Sequence, residues 1–282
     1  MTRISICAPG TPITRDVASR VTAIAAEFPG CELQFHEQCF AEHGHFAGPD
    51  SERLAALLEC ANDAQVDAIW FAKGGYGANR IAADALVRFD RTAYDKTFLG
   101  YSDNGYLLAG LYRQDIGHAI HGPMPVDIRR EGGEAAVRRA LAWFSGDAAG
   151  TEPSLDGTPT VAFNLVTLAM LCGTELLPDL AGHVVMIEEV AEHLYAIDRL
   201  LFHVTQNLPG IAGIRLGRLS AIPENDRPFG TEPEAVVRDW CARSGIPFLG
   251  RADIGHDADN KIVPFGASDG RRTGLAGSTA HS

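Results

Sequence analysis

The segment Leu99-Gly100-Tyr101-Ser102-Asp103-Asn104-Gly105 sets a serine between an apolar, β-prone run and a helix. Thr97-Phe98-Leu99 predicts a short strand, and Leu107, Leu108 and Leu111 recur at helical spacing after the turn. A serine at such a corner has its hydroxyl pushed clear of the backbone. The first turn of the helix adds free N–H groups that hold negative charge. This is the geometry of a nucleophile elbow, the device of serine hydrolases. The G-x-S-x-G spelling is not met, because Asn104 stands where the second glycine belongs and Gly105 follows one place later. The competing reading of Ser102 is a helix cap, the commoner role for serine at a strand–helix turn.

A nucleophilic serine needs a base, usually a histidine held by a carboxylate. Of the 10 histidines, His121 and His256 stand out. His121 ends the apolar run Ala119-Ile120 before a turn, and His256 lies in a polar loop ahead of Ile262-Val263-Pro264. His43 and His45 sit among polar residues, and His193 and His203 fall on predicted helices. Glu188 and Glu189 follow Val184-Val185-Met186-Ile187. A carboxylate at the end of a buried strand is costly unless it is used or paired. The alternative has one glutamate facing solvent and the other paired with Arg199.

The elements that must position these groups alternate. Strands are expected at 4–8, 31–35 and 66–71 and before Ser102. Helices are expected at 15–28, at 51–64 with Asp50 as N-cap, and around Ile81, Leu86 and Val87. Such alternation implies a mostly parallel sheet flanked by helices, with ligands at the carboxyl ends of its strands. The turn Lys73-Gly74-Gly75-Tyr76-Gly77 and Ser102 both fall at strand ends, so one crevice can hold both. An amphipathic helix is expected to run to Phe144, and 145–159 is rich in Gly, Pro, Asp and Ser. Beyond it, strands at 160–163, 183–188 and 219–222 and helices at 165–171 and 194–206 describe a smaller second α/β domain. The expected organisation is a nucleophile-bearing domain over 1–125, a linker over 126–154 and a second domain over 155–282, with the site between them. The small, polar stretch 271–282 is expected to fray.

Composition excludes several classes. The 282 residues carry 24 basic and 36 acidic side chains, a net charge of −12, which argues against a nucleic-acid surface. No apolar run is long enough for a membrane span, and the N-terminus lacks the apolar core of a secretory signal. The 6 cysteines show no C-x-x-C spacing, so reduced thiols and a cytoplasmic location are expected.

Five segments, in order, carry a resemblance. They are Ala68-Ile69-Trp70-Phe71-Ala72-Lys73-Gly74-Gly75-Tyr76-Gly77-Ala78-Asn79-Arg80; Leu99-Gly100-Tyr101-Ser102-Asp103; His121-Gly122-Pro123-Met124; Ile187-Glu188-Glu189-Val190-Ala191-Glu192 with Tyr195 and Ile197-Asp198-Arg199; and Gly255-His256 with Asn260 and Pro264. Together they resemble the murein tetrapeptide LD-carboxypeptidase family, serine peptidases that include the microcin C immunity peptidases. The resemblance implies a triad of Ser102 as nucleophile, His256 as base and Glu188 as its carboxylate. It implies an oxyanion held by the N–H groups of Asp103 and Gly75, and a substrate site including Gly74, Tyr76, Asn164 and Arg80. For Asn164, Arg80 and His121 the alternative is a structural hydrogen-bonding role. The implied reaction is release of terminal D-alanine from murein tetrapeptides in cell-wall recycling, by a homodimer that needs no metal or organic cofactor. The nearest rival keeps the triad but cuts an aminoacyl-nucleotide amide; a further rival is a peptide- or nucleotide-binding protein without catalysis. Three positions depart from the family pattern. Lys73 stands where arginine is common, Ala162-Phe163 precedes Asn164 in place of Gly-Gly, and Asn104 takes a place that is often apolar. Lys73 then reads either as a contact to a substrate carboxylate or as a solvated loop charge.

Overall fold

The computed structural model describes residues 1–267; the stretch 271–282 expected to fray lies outside them. The strands β1 (Thr2–Cys7), β2 (Cys31–Phe35), β3 (Ala68–Phe71), β4 (Thr97–Gly100) and β5 (His118–His121) pair in parallel. With β10 (Val263–Pro264) they form a six-stranded sheet in the order β10-β5-β4-β3-β1-β2. The second sheet holds β6 (Thr160–Asn164), β7 (Val184–Val190), β8 (Gly213–Ser220) and β9 (Phe248–Arg251), all parallel and in sequence order. The β3 and β4 residues Ile69, Trp70, Phe71, Phe98 and Leu99 are buried on both sheet faces, as parallel strands under helices require.

Helices cover both sheets: α1 (Arg15–Ala25), α2 (Asp50–Asn62), α3 (Ala82–Leu86), α4 (Gly105–Arg113), α5 (Gly133–Phe144), α6 (Leu165–Leu171), α7 (Leu194–Asn207) and α8 (Pro233–Ser244). The α4 residues from Gly105 to Leu111 are all buried, because the helix is covered by the first sheet on one side and by the second half on the other. One apolar cluster runs from Leu57, Phe98 and Leu108 through Phe163 and Leu168 to Ile187 and Leu216. The two halves therefore share a core. Among the described residues, no helix is long and apolar enough to cross a membrane.

The structure departs from the sequence reading in several places, and α8 and β9 were not expected. Asp50 is the first residue of α2, with Pro49 at the cap position, and its carboxylate instead receives Arg53 and Arg80. The strand expected at 219–222 lies at Gly213–Ser220, where interspersed Gly and Arg dilute the apolar signal. The segment expected as a linker, 126–154, contributes α5, whose Val137, Ala140, Leu141 and Phe144 pack with Ile4, Ile6 and Trp70. Its amphipathic face covers the first sheet, so the segment belongs to that layer. The short β10 was not expected; it leaves the second half and adds antiparallel to β5, Val263 facing His121.

Arg139 of α5 ties that return path, donating to the carbonyls of Ala258 (2.8 Å) and Asn260 (3.0 Å). Arg139→Met should lower unfolding free energy by roughly 1.5–3 kcal/mol, the range for hydrogen bonds to a charged group. Urea denaturation checks this; an unchanged midpoint contradicts the role given to Arg139.

Candidate active site

The serine sits where β4 ends. Tyr101 is extended, and Ser102 then takes a φ of +61° before a short 3₁₀ turn leads into α4. A positive φ at a non-glycine residue costs free energy and persists only where the surroundings enforce it. Here they do. The Asn104 side chain donates to the carbonyls of Tyr101 (3.3 Å) and Lys73 (3.1 Å), lashing the turn after β4 to the turn after β3. Gly74 closes on the serine: a Cβ there would lie 2.9 Å from Ser102 Cβ and 3.4 Å from Asp103 N. The space in front of the Asp103 N–H thus exists only because residue 74 has no side chain. Gly75 adopts a φ of +98° beside Thr11. The Asp103 side chain turns the other way, accepting from Ala78 N–H (2.8 Å). Burial, opposed by that bond, raises its pKa.

His256 arrives from the other half of the molecule. Its Nε2 lies 3.0 Å from Ser102 Oγ, and its Nδ1 lies 2.5 Å from Glu188 Oε2. Glu188 is fully buried near the end of β7, where the register against β8 shifts between Ile187 and Glu189. Bulges of this kind re-aim a side chain beside a site. Sequence context alone left His121 and His256 both open, and the resemblance named His256; the structure brings His256 to the serine and buries His121. His121 Nε2 meets Asn260 Oδ1 at 3.0 Å, and the same oxygen accepts from Gly255 N–H at 3.1 Å. That pair anchors the His256 loop to β5. Arg218 of β8 grips the loop from below, through Asp257 and through Asp253 at 2.5 Å.

Glu189 is neither solvent-facing nor paired with Arg199. It is buried and accepts from Asn164 Nδ2 (2.7 Å), Val190 N (2.8 Å) and Val166 N (2.8 Å) at the start of α6. Burial raises its pKa against those bonds. Arg199 lies over the Tyr195 ring instead.

A cavity of about 550 Å³ opens in front of Ser102 and His256. Its walls are the segments after three adjacent strands: 73–75 after β3, Tyr101 and Ser102 after β4, and 124–130 after β5, with Val190 closing the far side. This is the carboxyl edge that the alternation pattern indicated. Gly74 and Gly75 line it. Tyr76, Arg80 and Asn164 do not: Tyr76 stands against Phe46, Arg80 pairs with Asp50, and Asn164 holds Glu189 and caps α6. Each has a polar or aromatic partner inside its own half. Phe163 is likewise buried, edge-on to Phe265 at 5.2 Å, and packs between the halves outside the cavity. The sequence reading missed Met124, Asp127, Arg129 and Arg130 as lining residues. The available signal was their place just after a strand adjacent to the one ending at Ser102.

Residues 4–122 match the model of the LD-carboxypeptidase N-terminal domain, and residues 158–268 that of the LD-carboxypeptidase C-terminal domain. The murein tetrapeptide carboxypeptidase of Pseudomonas aeruginosa is 25% identical over 284 residues, spanning 94% of this chain and 91% of its own. Among solved structures, a muramoyltetrapeptide carboxypeptidase from Oxalobacter formigenes gives a TM-score of 0.78 at 23% identity, covering 94% of this chain and 93% of its own. The microcin C7 self immunity protein in complex with aspartyl sulfamoyl adenosine gives 0.75 at 19%, covering 94% and 91%. At those identities the two structures establish a common fold.

Burial pulls the His256 pKa down, but the charge and hydrogen bond of Glu188 overcome it, leaving a net rise from the ordinary 6.5. Removing the carboxylate charge leaves burial in command. By NMR titration, His256 should therefore have its midpoint above 6.5 in the native protein and clearly lower in Glu188→Gln; equal midpoints would contradict the coupling.

Proposed function

The chain belongs to the LD-carboxypeptidase family, and from that membership we propose that it is a serine carboxypeptidase releasing terminal D-alanine from murein tetrapeptides in cell-wall recycling. The observation that carries the reading is the chain of contacts from Ser102 Oγ through the His256 ring to Glu188 at 3.0 and 2.5 Å, opening on a cavity sized for a peptide end.

In this reading Ser102 Oγ attacks the scissile amide carbonyl while His256 Nε2 takes its proton. Glu188 holds the Nδ1–H tautomer and stabilises the imidazolium that forms. The N–H groups of Asp103 and Gly75 are the proposed donors to the negative charge of the tetrahedral intermediate, which would sit beside the space left by Gly74. His256 then returns the proton to the departing amine of D-alanine, and water repeats the sequence on the acyl-enzyme. Serine, histidine and glutamate supply the nucleophile and both proton transfers.

The rival substrate, an aminoacyl-nucleotide amide, would use the same chemistry. The murein reading is favoured because Trp70, Trp143 and Trp240 all lie outside the cavity, leaving Tyr101 as the aromatic ring of its wall. The non-catalytic alternative leaves the 2.5 Å histidine–carboxylate contact and the strained serine without a purpose.

Incubation with L-Ala-D-Glu-diaminopimelate-D-Ala should release D-alanine, with an aminoacyl sulfamoyl adenosine hydrolysed far more slowly. Tight binding of the tetrapeptide without release, in folded protein, would overturn the assignment. Ser102→Ala, His256→Ala and Glu188→Ala should each lower kcat about 10⁴-fold or more; unchanged rates in all three would place the chemistry elsewhere. The acid limb of kcat/KM should fall with a midpoint above the ordinary histidine value of 6.5, since protonated His256 accepts no proton. A flat acid limb would argue against an imidazole base.

A further inference from the structure

Three cations face the cavity: Lys73, Arg129 and Arg130. Asp127, the one carboxylate among its lining residues, is already committed. It accepts from Arg130 Nε (2.8 Å) and from the Tyr101 hydroxyl (2.9 Å). Lys73 and Arg129 have no ion pair among the described residues, on a chain whose net charge is −12. They also feel each other: burial and then the Arg129 charge hold the Lys73 ammonium below its usual range. The backbone keeps them together. The Val126 N–H, on the turn that ends in Arg129, donates to Ala72 O (3.1 Å), and Arg20 fixes Ile128 O (2.8 Å). Two unmatched like charges lining one cavity repel until an anion arrives, and then both attract it.

The position of Lys73 says which anion. It is the chain neighbour of Gly74, which touches Ser102. In a peptide cut at its last bond, the terminal carboxylate is separated from the scissile carbonyl carbon only by N and Cα, a span of roughly 4 Å. That span keeps the carboxylate beside the serine, inside the cavity that Lys73 and Arg129 both line. We propose that Lys73 and Arg129 recognise the free C-terminal carboxylate of the substrate and so confine cleavage to the final residue. The inference rests on the peptide-amide hydrolysis proposed above. Lys73 supplies a point charge and Arg129 a planar fork, so two cations hold one carboxylate in a fixed orientation.

The test separates recognition from turnover. Calorimetry with Ser102→Ala protein compares the tetrapeptide acid with its C-terminal amide. The acid should bind about tenfold to a hundredfold more tightly, as for charge-assisted contacts. Adding Lys73→Met and Arg129→Met should collapse that ratio towards one, whereas Lys73→Arg should keep most of it and report on folding. A preference that survives loss of both cations, or no preference at all, overturns the inference. D-alanine release by the unmodified protein is scored apart: if release fails while the cation-dependent preference holds, the hydrolysis reading falls and the recognition site stands.

Discussion

The imidazole of His256 has to lie within hydrogen-bond reach of a hydroxyl on one sheet and a carboxylate on the other. Every other feature of the molecule can be read as serving that demand. A displacement of about 1 Å is enough to cost a hundredfold in rate in a site of this kind, so the two halves cannot be loosely hinged. They are not. A shared apolar core runs between them, Phe163 meets Phe265, and the chain returns through β10 to the edge of the first sheet. His121, through Asn260, and Arg139 secure the loop bearing His256 from the first half, and Arg218 secures it from the second.

The two adjacent glutamates show how burial sorts roles. Both leave the end of β7 into the interior, where an unmatched carboxylate is expensive. Glu189 has three donors and serves the architecture, joining β7 to the start of α6. For Glu188, Oε2 meets the His256 ring while Oε1 has no partner among the described residues. Its charge is therefore spent on the imidazole with little competition, which accounts for the upward pull on His256 against burial. Identical side chains one residue apart thus divide into a scaffold and a partner for the base.

The alternation of strands and helices was legible because apolar runs and amphipathic stripes are local properties, and the carboxyl-edge rule then located the crevice. Ser102, Glu188 and His256 were legible through turn context and a family resemblance spread over five segments. Their convergence was not, since it depends on β10 crossing between halves, a two-residue strand that no periodicity reveals. Tyr76, Arg80 and Asn164 are not among the lining residues of the cavity. Proximity in sequence to a motif says nothing of which partner a side chain finds, and these meet Phe46, Asp50 and Glu189. Arg129 and Arg130 looked like the polar opening of a helix. Only the pairing of Arg130 with Asp127 shows which of the cations is left unmatched.

The most direct test of the account is a crystal structure after treatment with a peptidyl phosphonate, which reports the nucleophile and its surroundings at once. The account predicts phosphorus bonded to Ser102 Oγ, its oxygen facing the Asp103 and Gly75 N–H groups, and no adduct in His256→Ala. Modification of a different residue, or an unmodified Ser102 in protein that has lost activity to the reagent, would contradict it.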